Sequence, residues 1–181
     1  MATTVPALSP DVVERVHHAK APVAPVAGPY GHPFHPILVT IPIGAWVCSL
    51  IFDIATRVNG AGSKPLTDAT YWLIGIGIVG ALLAALFGLM DLVRIPRRTR
   101  ALRFGLTHMT LNLVVVGMFI GNFVWRHDSY YESVRVQPGQ LALSAVAIGL
   151  LLVSGWIGGM LAYRYGVRVA DESTTQVKGY G

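Results

Sequence analysis

Apolar residues in this chain do not alternate with polar ones at the spacing of a soluble helix or strand. They fill four long runs, about residues 37–52, 71–90, 109–125 and 141–163. At about 1.5 Å of rise per residue, each run is roughly long enough to cross a hydrocarbon core of about 30 Å. The pattern predicts four transmembrane helices, about 36–57, 69–94, 104–126 and 139–165, joined by short polar connections. The expected fold class is therefore all-α: an integral membrane four-helix up-and-down bundle, one domain over residues 30–166. Residues 1–29 read as a flexible segment holding a short helix, with Ser9 as N-cap and Pro10 at the first helical position, followed by the linker APVAPVAGP. Residues 167–181 read as a flexible tail. The long polar stretch ahead of the first run, with no small-residue cleavage site after it, marks the first helix as an uncleaved anchor.

Composition sharpens this picture. The chain is 53% hydrophobic and 13% charged, with a mean hydropathy of +0.55, outside the balance of soluble globular domains. The net charge of +5 invites a nucleic-acid reading until its distribution is followed. With four spans, both termini share a side with the loop between helices 2 and 3, and that side carries ten of the 14 Lys and Arg residues. The short RIPRRTRALR stretch, residues 94–103, dominates this bias. The positive-inside rule then makes the termini cytoplasmic, with anionic headgroups as an added attraction, and no basic-aromatic interleaving calls for nucleic acid. The single cysteine, Cys48, excludes an internal disulfide or a Cys-rich metal motif and reads as a small core residue. No nucleophile–base pair, phosphate loop or carboxylate pair is present, so no enzyme is predicted.

Small residues mark the packing. The second helix places Gly77, Ala81, Ala84, Gly88 and Asp91 on one stripe, and Gly117/Gly121 and Gly155/Gly159 repeat the small-xxx-small spacing in helices 3 and 4. Faces left over after the bundle closes are candidates for a homodimer contact. Polar residues fall on one stripe per helix: His35, Ser49 and Asp53 on the first, His108, Asn112, Asn122 and Arg126 on the third. Both stripes must face the interior, because an unpaired polar group in lipid is costly. Asp53 and Arg126, with Asn122 beside them, are expected to form a structural ion pair at the end away from the termini.

At the cytoplasmic end, His35, Asp91 and His108 are expected to converge. A residue before proline favours the extended region, so His32 and His35 should both stand outside the helix, with Pro36 as its first residue. About 9 Å of polyproline path between them keeps both off one ion, which leaves His35 as the better ligand and His32 in support. His108 falls in the first turn of the third helix, where the helix dipole favours the neutral imidazole that a metal or haem iron needs. The candidate cofactor-binding set is His35, His108 and Asp91, and the candidate metal ligands are His35, His108 and His32. Haem or a metal ion is the cofactor these residues suit, with helices 1 and 3 diagonal across the bundle. Two other readings compete: a structural or assembly subunit whose histidines form a rigid polar collar, and a quinone-like or proton-handling pocket.

The run GHPFHPILVTIPIGAW, the Gly-rich second helix ending in GLMDL, and the later THMTLN resemble a widespread bacterial family of four-helix membrane proteins of unknown function. The likeness spans about residues 30–166, and its most specific element is the HPxHP motif. Some members resemble membrane anchors joined to a Rieske iron-sulphur domain. The resemblance implies a redox neighbourhood for at least part of the family, and the expectation for this chain is an accessory or electron-transfer module of the bacterial cytoplasmic membrane with a redox or respiratory partner protein. This chain has no cysteines for such a cluster, so a redox role here needs a bound cofactor or a partner subunit.

Overall fold

The computed structural model describes residues 9–58 and 62–170, and the outermost parts of the expected flexible segments, residues 1–8 and 171–181, lie outside the described residues. Among the described residues five α-helices follow in chain order, α1 (Pro10–Lys20), α2 (Phe34–Val58), α3 (Lys64–Val93), α4 (Arg100–His127) and α5 (Pro138–Tyr163), with a 3₁₀ turn at Pro25–Ala27 between the first two and no strand. The last four are the membrane spans. They alternate in direction, and only 17–28% of each span's most apolar stretch is buried inside the bundle, so most of its apolar surface is left for lipid.

Each helix starts where its sequence supplies a start signal. Pro65 sits in the first turn of α3 behind Ser63, so that helix begins at Lys64 rather than near 69. The Thr99 hydroxyl accepts from the Leu102 N–H (3.1 Å) and starts α4 at Arg100, which moves Arg100 and Arg103 out of the basic loop and onto the helix. At α5 a reciprocal capping box joins Gln137 and Gln140. α2 begins at Phe34, so His35 lies inside its first turn and not ahead of it. The first N–H groups of a helix have no intrahelical partner, so Pro36 removes nothing that Phe34 and His35 would have used. Pro42, lacking an N–H, accounts for the local break of α2 at Val39.

Close packing concentrates within two hairpins, α2 with α3 and α4 with α5, which then face each other. In the α2/α3 seam glycine is required by contact: a Cβ on Gly77 would collide with the Trp46 indole, and one on Gly80 would come within 2.6 Å of Ile41. The expectation for the other stripes is corrected. Gly117, Gly121, Gly155 and Gly159 would meet nothing within 4 Å and do not pack the bundle. Cys48 is likewise exposed on the outer face of α2.

The two hairpins also repeat each other. Across the diagonal, His35 meets His108, Trp46 stacks on Phe119 (4.2 Å, 10° between planes) and Asp53 pairs with Arg126. Each of the three pairs joins positions 73 residues apart. Such self-matching contacts are what an approximate two-fold axis along the membrane normal produces between parallel repeats. The aromatic layer, with Ile74, Val115, Val116 and Ala147, forms the apolar core between two polar ends.

Segments flanking the bundle are tied to one end of it. His18 Nδ1 donates to the Arg94 carbonyl (3.0 Å), and the Arg168 N–H to the Ala19 carbonyl (3.1 Å). Gly166 reverses the chain with φ 67°, and Arg168, itself at φ 60°, turns its guanidinium inward. Residues 167–170 and α1 are therefore part of the structure at the end of the bundle that carries the α3–α4 loop.

Candidate functional site

His35 and His108 come together at that end, with ring centroids 6.3 Å apart and ring planes perpendicular. Each ring is held by the helix that follows it in its own hairpin. His35 Nδ1 donates to the Ala84 carbonyl (2.8 Å) and its ring lies on Gly88, where a Cβ would stand 2.9 Å from it. His108 Nδ1 donates to the Ser154 carbonyl (2.8 Å) and its ring lies on Gly158, where a Cβ would stand 3.0 Å away. In both hairpins the carbonyl comes from a small residue and the glycine follows one turn later. Helical glycine is destabilising by roughly 0.5–1 kcal/mol relative to alanine; here it makes room for an imidazole.

A carbonyl only accepts, so the ring hydrogen sits on Nδ1 in both histidines and the lone pair of the neutral ring is at Nε2. That is the orientation in which protein histidines present Nε2 to a metal while a carbonyl fixes the ring from behind. The two rings differ in their side-chain neighbours: the Ser154 hydroxyl also lies 3.0 Å from His108 Nδ1, where Ala84 has no hydroxyl to offer His35. The Asn112 amide lies 3.2 Å from His108 Nε2, although it makes shorter contacts to Ser154 Oγ (2.7 Å) and the His108 carbonyl (2.8 Å).

The other expected members of the site lie elsewhere. Asp91 faces Arg168 and not a histidine: Arg168 Nε lies 2.8 Å from its carboxylate, and Nη2 donates to the Ala27 and Gly28 carbonyls (3.0 Å each). Sequence reasoning missed Arg168, which is 4% exposed and fastens both flanking segments to α3. His32 is exposed. His108 stands more than two turns into α4, so the anchor at Ser154, rather than the start of the helix, sets its ring. Among the described residues no group of three or more His, Cys, Asp or Glu could hold a metal ion. At this end the two imidazoles face each other without a third such group among the described residues.

Beside His35 the α2/α3 seam opens outward into an apolar groove of about 210 Å³ lined by Phe34, Ile37, Leu38, Leu83 and Phe87. At the opposite end Arg126 makes a two-pronged pair with Asp53 (Nη1 2.9 Å, Nη2 2.6 Å) and donates through Nε to Asn122 Oδ1 (2.9 Å). Asn122 in turn donates to Ser144 Oγ (2.8 Å) and the Gln140 carbonyl (3.0 Å), which carries the network into α5.

No curated protein and no solved structure matches the chain significantly. Residues 31–171, which take in all four spans and both anchored histidines, match the family described as "Predicted membrane protein (DUF2231)", and the chain belongs to that family.

Proposed function

We propose that the bundle is an accessory or electron-transfer membrane module in which His35 and His108 present two neutral imidazoles to one metal centre. The observation that carries this reading is the pairing itself: two rings, each fixed through Nδ1 by a backbone carbonyl, at a centroid spacing of 6.3 Å. At this spacing His35 and His108 would be the residues to hold one metal, at bonds of about 2.0–2.1 Å. Haem iron suits a two-ligand site best, because its macrocycle supplies the equatorial nitrogens that the protein lacks. The apolar groove beside His35 is compatible with a ligand that is largely hydrocarbon. The basic α3–α4 stretch supports placing this end in the cytoplasm of a bacterial cell, where a redox partner protein would reach it. The outward Gly117, Gly121, Gly155 and Gly159 offer a face for a homodimer.

One observation favours a second reading. Each Nδ1–H bond also staples a hairpin, and Asp91 is engaged by Arg168, so the histidines suit a purely structural collar as well. Absorption spectroscopy and metal analysis of the detergent-purified protein separate the two. A Soret band, or one equivalent of metal, lost in both His35→Ala and His108→Ala while the helical circular dichroism is retained is the expected result. A colourless, metal-free and fully folded wild-type protein would sink the metal reading and leave the collar.

A further inference from the structure

The end of the bundle away from the termini holds a second built site that the histidine reading does not use. A cavity of about 20 Å³ lies there between α3, the start of α5 and the α4–α5 loop, lined by Tyr71, Arg126, Ser129, Ser133, Arg135 and Gln140 among others. A single water needs about 10–15 Å³ of such space, so the cavity admits one water or one ion of comparable size.

The groups around it are mostly donors. Gln140 is 3% exposed, its Oε1 is used by the Gln137 N–H (3.2 Å) in the capping box, and its Nε2 has no partner among the described residues. A buried amide N–H₂ without an acceptor is costly, so its neighbourhood should supply one. Arg126 is 6% exposed and brings a guanidinium already charge-balanced by Asp53. Arg135 is exposed at the mouth and adds a positive charge that Asp53 does not offset. The cavity also lies at the N-terminal end of α5, where the helix dipole is positive. The Tyr71 hydroxyl is engaged with His127 Nδ1 (3.1 Å).

We infer that this cavity is a binding site for a monovalent anion of halide size, held by Gln140 Nε2 and the Arg126 and Arg135 guanidinium groups. It is independent of the histidine pair and lies across the aromatic layer from it.

The test uses the purified full chain in detergent, titrated with sodium chloride and with sodium bromide against sodium gluconate at constant ionic strength, with thermal unfolding as the readout. An anion that binds only the folded state raises the midpoint saturably. Gln140→Glu keeps the capping acceptor and favours the helix start, but replaces the donor with a negative charge. It should shift the half-saturating halide concentration upward by tenfold or more. Arg135→Gln, at an exposed position that leaves folding intact, should shift it by a smaller factor. No halide-dependent rise in the wild type would mean that the cavity holds water, and would overturn the proposal. So would a saturating rise unaltered in Arg135→Gln and in any Gln140→Glu protein that folds.

Discussion

Removing the Arg126 side chain as Arg126→Leu tests how far the protein interior depends on the ion pair across the diagonal. Asp53 is 0% exposed and receives two of the guanidinium's bonds, so the leucine variant leaves a buried carboxylate with its main partner gone. Breaking one side of a buried pair costs about 3–5 kcal/mol. Asn122 Oδ1 loses its charged donor as well, which adds about 1–3 kcal/mol. The double variant Asp53→Leu/Arg126→Leu removes both charges and should fall within about 2 kcal/mol of wild type, because well-packed apolar replacements of buried pairs are close to neutral. The resulting coupling is then about 3 kcal/mol or more, large for a double-mutant cycle. The charge exchange Asp53→Arg/Arg126→Asp adds a stricter test. The two positions are equivalent under the approximate two-fold, so the pair should re-form, with the Asn122 bond, about 1.5–3 kcal/mol for a charged donor, and the Thr70 bond to Asp53 missing. Reversible unfolding in mixed detergent micelles, followed by circular dichroism, measures wild type, these three variants and Asp53→Leu, which completes the cycle. A single Arg126→Leu cost below about 1 kcal/mol, or additive single and double variants, would refute both the pairing and the burial on which it rests.

The remaining expectations concern packing and the flanking segments. Gly77→Ala should lower stability by about 1–3 kcal/mol, since its Cβ runs into the Trp46 indole, whereas Gly117→Ala, in open space, should be neutral or stabilise by up to about 1 kcal/mol; the sign difference in thermal midpoint is the check. Arg168→Ala should raise amide hydrogen exchange across residues 19–33, which lose the guanidinium bonds to Ala27 and Gly28, while exchange in the middle of α3 to α5 stays unchanged; uniform exchange across the chain would contradict the clamp.

Much of the fold was legible because lipid imposes a strict rule: a polar side chain inside a span must face inward. That rule turned the spacing of His35, Ser49 and Asp53, and of His108, Asn122 and Arg126, into two interior faces meeting across a diagonal. The same spacing contained the direction of the α4 glycines. At 100° per residue, Gly117 and Gly121 are two positions beyond Val115 and Phe119 and so point away from the polar stripe; small-xxx-small periodicity names a stripe without saying which way it faces. The histidine anchors were not legible, because the acceptors are the carbonyls of Ala84 and Ser154, and a carbonyl leaves no mark in the residue type. The Asp91–Arg168 clamp escaped for another reason. Arg168 follows the last apolar run, where a basic residue is already explained by topology, and the contact exists only because Gly166 turns the chain back.

The repetition at an interval of 73 residues explains why the three diagonal layers carry the residues they do. A two-fold axis brings each position against its own copy, so a charged residue repeated in both halves would face a like charge in a low-dielectric interior. The ionic layer is accordingly asymmetric, with Asp53 in one half and Arg126 in the other. An imidazole carries no such penalty while neutral, and the histidine layer stayed identical. The aromatic layer tolerated a change in size, with Trp46 finding an acceptor for its N–H in the Ile74 carbonyl (3.3 Å) and Phe119 needing none. Symmetry is broken at the histidines by Ser154, whose hydroxyl reaches His108 Nδ1 (3.0 Å) where Ala84 offers His35 none, and by Asn112, whose counterpart 73 residues earlier is Val39. A ligand on this axis would thus meet two rings in equivalent backbone settings but with unequal competition for Nε2: free of a side-chain donor on His35, shared with an amide on His108. His108 is then the imidazole that must surrender a hydrogen bond on coordination, and the Asn112 amide, with Ser154 Oγ and the His108 carbonyl within reach, has other acceptors when it does.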